Sequence, residues 1–384
     1  MRDNTDSAFF EILRAGLWGS GNPDIRIDGA TDWVYIYRLA KEQSVQGLVL
    51  QGIEWFKNHN DNDNPNLNVS IPQVLLLQWI GEVQMIEKRN KEMNIFIANL
   101  IEKLRKFDIY SLLIKGQGIA QCYDKPLWRV SGDIDLLLSK NNYEKAKAFL
   151  LPKGVLTEPE EAAKRHLALQ LDQWAVELHG TLHVGLSARV DRMLDKVQYD
   201  IFYGGQVRSW MNGKTQVFLP SANEDVVYVF AHILQHFYKG GIGLRQICDW
   251  CRLLWTYRNS LNHKLLESRI REAGIMSEWK VFGTLAIEYL GFPKDSMPLL
   301  NVDLNDNLKK KAERIKEFIL EVGNFGHNRD NSYFQKHSYF VQKCISAWRR
   351  VTDLCRHATI FPVNSVRFFF GIMYNGFVST LRGE

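Results

Sequence analysis

The 384-residue sequence has few cysteines, no block of like charge and no long apolar run. Its five cysteines are an odd number. Cys122, Cys248, Cys251, Cys344 and Cys355 also lack the spacing of a secreted disulfide framework, so a reducing compartment is expected. Cys248 and Cys251 form a Cys-x-x-Cys, but within the helical run Gln246 to Trp255, and no second pair completes a zinc site. No run of five or more Lys or Arg occurs, and the formal net charge is only +5. The electrostatic footprint of a dedicated nucleic-acid binder is therefore missing, and nucleic acid is not an expected partner. Met1 to Asp6 is polar and acidic with no apolar stretch behind it, so no secretory signal is expected and the cytoplasm is the expected location. Ile360 to Leu381 is rich in Phe but broken by Pro362, Asn364, Arg367 and Asn375. Its unbroken apolar core, Phe368 to Met373, is far short of a bilayer span. This segment reads as a buried C-terminal helix, with contact to a membrane surface as the alternative.

What is present is the composition of a globular protein, 46% hydrophobic and 24% charged, in a chain long enough to bury a core without disulfides. Periodicity of 3.6 predicts N-terminal helices over Ser7 to Leu17 and Asp32 to Phe56, the second capped by Thr31 or Asp32. The Asn- and Asp-rich stretch Asn58 to Ser70, around Pro65, predicts an exposed loop. From Pro72 an apolar stripe through Trp79, Val83, Ile86, Met93, Ile97, Leu100 and Leu104 predicts one long amphipathic helix, residues 72–107, packed on its own chain. Short apolar strands then alternate with helical blocks. Strands are predicted at Tyr110 to Ile114, Ile134 to Leu138 and Ala175 to Leu178, and helices at Gly118 to Tyr123 and Asn142 to Leu150. Gln216 to Leu219 is a further strand that could close the sheet. After Pro220 the pattern is helical to the C-terminus. The expected fold class is α+β, with an N-terminal helical region (1–107), a two-layer core with a mixed sheet (108–220) and a C-terminal helical domain (221–384).

Chemistry concentrates in Ser131-Gly132-Asp133-Ile134-Asp135-Leu136. Two carboxylates two residues apart on a strand share a face. At roughly 4 Å they would repel by about 4 kcal/mol at an effective dielectric near 20, so they call for a cation, and magnesium suits an all-oxygen set. An Asp-x-Asp that is merely solvated or caps backbone is the plain alternative. Upstream, Ile114-Lys115-Gly116-Gln117-Gly118 ends a strand in a glycine turn that opens a helix, a geometry that offers backbone N–H groups to phosphate.

Lys115-Gly116, the Asp133-Ile134-Asp135 strand and the later strand Val176-Glu177-Leu178-His179 together resemble the nucleotidyltransferase superfamily that includes DNA polymerase beta. Arg129 to Leu137 and Glu177-Leu178-His179 look most like its bacterial family of uncharacterised nucleotidyltransferases. The resemblance covers about residues 72–255. It implies that Asp133, Asp135 and Glu177 hold Mg2+ or Mn2+, and that Lys115, Gly116, Gln117, Arg129 and Ser131 meet the nucleotide. The implied reaction is transfer of a nucleoside monophosphate from a nucleoside triphosphate, ATP first among the candidates, to a small-molecule or protein hydroxyl, with release of pyrophosphate. Gln117 stands where the superfamily has Gly or Ser, and Glu177 where Asp is commoner. Both departures leave open a catalytically silent nucleotide-binding or interaction module, and a metal-dependent phosphohydrolase is a third reading.

A second cluster lies in the helical half. His232 and His236 are spaced i, i+4, and Gly243-Leu244-Arg245 leads to Asp249. The same family resemblance places His232, Arg245 and Asp249 around the base or acceptor pocket, and His179, two residues from Glu177 on the same strand face, is expected either to orient a phosphate or acceptor there or to be a buried, hydrogen-bonded histidine. Zinc ligation by His232 and His236 is the alternative to packing and hydrogen bonding. His179 and His183 repeat the spacing across a strand, where it does not ensure a common site.

Overall fold

A computed structural model describes residues 2–20, 31–59, 70–161, 164–300, 304–324 and 339–382. The expected loop from Asn58 to Ser70 falls almost wholly outside them. The chain opens with α1 (Arg2–Trp18), α2 (Trp33–Glu42) and α3 (Gln46–Asn58). Asp32 caps α2, its Oδ1 accepting from the Tyr35 N–H at 2.9 Å. The single helix expected over Asp32 to Phe56 is corrected to two, broken where Ser44 takes φ 56°. The break is held from outside. The fully buried Gln43 donates to the Ile319 carbonyl at 3.1 Å and accepts from the Leu244 N–H at 3.0 Å. Two glycines let α1 and α3 touch backbone to backbone. A Cβ on Gly16 would lie 1.8 Å from the Leu48 carbonyl oxygen, and one on Gly52 1.9 Å from that of Ile12.

The long helix is α4 (Gln73–Arg105), 33 residues. Its stripe serves two cores. Trp79 and Val83 enter the core formed by the helices, whereas Met93, Ile97, Leu100 and Leu104 enter the core under the sheet.

The sheet is built from β1 (Ser111–Ile114), β2 (Asp133–Leu138), β3 (Val155–Leu156), β4 (His166–Leu171) and β5 (Trp174–His179), in the spatial order β1-β2-β5-β4-β3. Only β2 and β5 run parallel; the other pairs are antiparallel. The short helix α5 (Gly116–Ala120) follows β1, and α6 (Lys140–Leu150) makes the crossover from β2. The side chains alternate as strand geometry requires. Ile134, Leu136, Leu138, Val176 and Leu178 face the core shared with α4, while Leu137, on the face of Asp133 and Asp135, meets the helical core.

After α7 (Ala188–Tyr203), the strands β6 (Val207–Asn212) and β7 (Thr215–Pro220) form a separate hairpin. The expected strand over Gln216 to Leu219 is therefore present as β7 but does not close the main sheet; it packs against β1 and α4.

The helical half comprises α8 (Ala222–Lys239), α9 (Leu244–Tyr257), α10 (His263–Ala273), α11 (Met276–Leu290), α12 (Asp306–Val322), α13 (Tyr339–Ala358) and α14 (Pro362–Arg382). It shares one continuous core with α1 to α3. The expected burial of the C-terminal helix holds for one face only. Phe368 and Ile372 are buried, whereas Val363 and Phe370 are exposed. Among the described residues no helix is long and apolar enough to cross a membrane.

Candidate active site

Asp133 and Asp135 leave the same face of β2, and the parallel register sets Asp135 opposite Glu177 on β5. One oxygen from each of Asp133, Asp135 and Glu177 falls within 4.8 Å of the other two. Three carboxylates this close repel one another, and the surroundings answer at two of them. Asp135, only 2% exposed, receives Lys115 Nζ at 2.8 Å and His179 Nε2 at 2.8 Å. Glu177 Oε2 accepts from His166 Nε2 at 3.1 Å and lies 3.3 Å from His179 Nε2. Burial favours the neutral form of Glu177, yet these histidines and the Lys115 charge hold its carboxyl well below the usual range. At Asp133 the charges of Lys115 and Arg245 help less than its neighbours oppose. Repulsion from Asp135, and then burial, raise its pKa.

Lys115 is aimed by a strained backbone. It sits at φ 55°, ψ −149°, a region that glycine adopts readily and other residues at a cost of about 1–3 kcal/mol. Gly116 follows with φ 44°. Burial would discharge the lysine, but the field of Asp135 keeps it protonated and raises its pKa.

The acids open onto a cleft of about 310 Å3, a volume suited to a small-molecule ligand. Lys115, Gly116, Gly132, Lys164, Thr181 and Arg245 are among the residues that line it. Arg245 donates from Nη1 to the Val130 carbonyl at 2.8 Å, while its Nε is buried without a hydrogen-bond partner. His232 and His236 complete the wall from α8, their Nε2 atoms 3.2 Å apart and His232 Nε2 3.4 Å from Lys115 Nζ. Burial, reinforced by Lys115, lowers both pKa values, that of His236 to about 3, so both rings stay neutral. No described acid or cysteine completes a metal set around this pair.

The family described as uncharacterised nucleotidyltransferases matches residues 29–291. The chain belongs to that family. No curated protein and no solved structure matches it. The family match runs from α2 through α11, wider than the stretch that carries the sequence motifs, and contains every residue of the cleft.

Within this nucleotidyltransferase domain the structure brings most of the expected residues together. Lys115, Gly116, Asp133, Asp135, Glu177, His179, His232 and Arg245 all line the cleft. Arg129 and Asp249 reach it but are spent on each other. Arg129 Nε meets Asp249 Oδ1 at 2.7 Å and Nη2 meets Oδ2 at 2.6 Å, with the Tyr123 hydroxyl donating to Oδ1 at 2.7 Å. They brace the turn before Asp133 and offer no free charge.

Gln117 and Ser131, expected to meet the nucleotide, have their side chains inside the wall instead. Gln117 is 1% exposed and donates to Asn90 Oδ1 at 2.8 Å and Ser131 Oγ at 3.3 Å, and Ser131 Oγ also accepts from Arg129 Nη1 at 2.9 Å. The amide at position 117 is thus a tie from the glycine turn to α4, which explains why a residue larger than Gly or Ser stands there. His183 turns to Asp195, at 2.7 Å, and makes no common site with His179. Cys248 and Cys251 are buried on α9, where burial raises both thiol pKa values, as inert core thiols should show. His166, Lys164, Thr181 and Tyr228 also line the cleft, and no sequence motif marks them.

Proposed function

We propose that the chain is a metal-dependent nucleotidyltransferase that moves a nucleoside monophosphate from a nucleoside triphosphate, with ATP the first candidate, to a hydroxyl of a small molecule or protein. The convergence of Asp133, Asp135 and Glu177 carries this reading. The donor set fits a hard divalent cation such as Mg2+: three carboxylates, one of them held above its ordinary pKa by repulsion from its neighbour. When bound, such an ion would offset the charge that develops on the attacking and leaving oxygens.

The chain's own residues supply the rest. Lys115 and Arg245 place positive charge along the cleft where a triphosphate would lie. Gly116 brings backbone close to the strand that bears the aspartates; a Cβ there would sit 3.5 Å from the Asp133 carbonyl oxygen. Glu177, beside the aspartates, is placed to orient the acceptor hydroxyl through hydrogen bonding. Attack forms the bond from acceptor oxygen to α-phosphorus, breaks the bridge to the β-phosphate and releases the acceptor proton to solvent.

One observation favours a second reading, a nucleotide-binding module without turnover. Lys115 and His179 already neutralise Asp135, each at 2.8 Å. Incubation of the purified protein with each common nucleoside triphosphate, Mg2+ and a panel of hydroxyl acceptors separates the two. Pyrophosphate with a nucleotidylated product, lost in Asp133→Ala and Asp135→Ala, supports transfer. Tight Mg2+-nucleotide binding by calorimetry with no pyrophosphate supports the silent module.

A further inference from the structure

The acids are bordered by a second donor set of different chemistry. One ring nitrogen of His166, one of His179 and one Glu177 carboxylate oxygen lie within 4.8 Å of one another, and the two Nε2 atoms stand 3.1 and 3.3 Å from Glu177 Oε2. Ligands that share one ion at about 2.0–2.1 Å stand roughly 2.9–3.4 Å apart in an octahedral or tetrahedral shell. The imidazoles reach this position from different strands, since His166 on β4 pairs in register with His179 on β5. All three residues line the cleft, so an ion has a path to them.

We propose that His166, His179 and Glu177 form a second cation site, selective for a borderline divalent ion such as Zn2+ over Mg2+. Two imidazole nitrogens and one carboxylate suit zinc, whereas the Asp133, Asp135 and Glu177 oxygens suit magnesium. Both histidines converge on Oε2 of Glu177, and among the described residues no hydrogen bond falls on Oε1. One carboxylate can therefore serve both sites through its two oxygens. On loading, the ion takes the place of the protons on the two Nε2 atoms. Each imidazole then carries its proton on Nδ1, and any second proton passes to solvent. His179 gives up its hydrogen bond to Asp135, which keeps Lys115 as partner. The site shares Glu177 with the proposed transfer centre but does not require that nucleotide transfer occur.

The test uses the full-length protein stripped of metal, saturated with Mg2+ and then titrated with Zn2+ by calorimetry, followed by X-ray absorption at the zinc edge. One equivalent of Zn2+ is expected, with two imidazoles in its shell. His166→Ala should weaken binding at least about tenfold and reduce the imidazole count to one. His166→Gln, which keeps most of the volume, should do the same with an unchanged circular dichroism spectrum. Asp133→Ala should leave Zn2+ affinity within about threefold while removing nucleotide transfer, so the two proposals fail separately. No Zn2+ binding in the presence of Mg2+, a shell without imidazole, or affinity untouched by both His166 substitutions would overturn the site.

Discussion

Asp135 and Glu177 face each other across the parallel pair β2 and β5, and each meets different donor groups: Lys115 for the first, His166 for the second, with His179 between them. Asp133, two residues from Asp135 on the same face, has no comparable partner. The three acids thus differ in what they owe to the fold.

That difference predicts opposite stability effects. Asp135→Ala leaves the Lys115 ammonium, with only 15% of its side chain exposed, without its counter-charge. Loss of one partner from a buried pair costs about 3–5 kcal/mol. Asp133→Ala instead relieves repulsion. Scanning calorimetry should show a clearly lower melting temperature for Asp135→Ala and an unchanged or slightly higher one for Asp133→Ala, although both should abolish the proposed transfer.

The Arg129–Asp249 pair behind the site makes a second case. Arg129→Lys cannot reproduce the two parallel hydrogen bonds at 2.7 and 2.6 Å and should destabilise the protein by several kcal/mol, on the order of 3. Tyr123→Phe removes one hydrogen bond to the same carboxylate and should cost about 1.5–3 kcal/mol. Urea unfolding midpoints measure both, and the Tyr123 effect should largely vanish in the Asp249→Ala background, which lacks the acceptor.

The neutral histidines of α8 set an acid response. The pKa of His236 is depressed to about 3 and that of His232 lies well below its ordinary value. The unfolded chain protonates both near pH 6.5, so below that pH it binds more protons than the folded protein. Their contribution is therefore present above pH 6.5 and is lost as pH falls toward the folded values, at up to about 1.4 kcal/mol per pH unit for each ring. Unfolding free energies measured from pH 7 to 4 should fall less steeply in His236→Asn than in the parent.

Much of this was legible from residue types alone, and the failures have physical causes. The Asp-x-Asp strand, the acidic partner strand and the long amphipathic helix each follow from local periodicity. β4 does not stand out because its hairpin to β5 turns on Asp172 and Gln173, with Asp172 at φ 53°, and lacks the Asp-Gly or Asn-Gly signal. His166 was hidden with it, since its closeness to Glu177 is created by strand pairing. The break at Ser44 carries neither Gly nor Pro and is imposed by Gln43 bonding to α9 and α12. The Gln117 side chain is turned inward by Asn90, whose position on α4 no motif links to the glycine turn, and Ser131 Oγ is held by Gln117 and Arg129 in turn.

The backbone contact of α1 with α3 gives a prediction away from the site. A methyl group on Gly52 would meet the Ile12 carbonyl oxygen at 1.9 Å, where only backbone can yield. Gly52→Ala should therefore cost at least about 1–3 kcal/mol. Gly81→Ala on α4, where a Cβ meets nothing within 4 Å, is the matched control and should stabilise by a few tenths of a kcal/mol up to about 1. Thermal melts of the two variants compare them directly.

The central claim is that Asp133, Asp135 and Glu177 act together on one divalent ion. Titration of Mn2+ into the protein with a non-hydrolysable triphosphate, read by electron paramagnetic resonance, tests it most directly. Tight binding in the parent, lost in Asp133→Ala, Asp135→Ala and Glu177→Ala alike, is the predicted result. Mn2+ affinity that none of the three substitutions alters would contradict it.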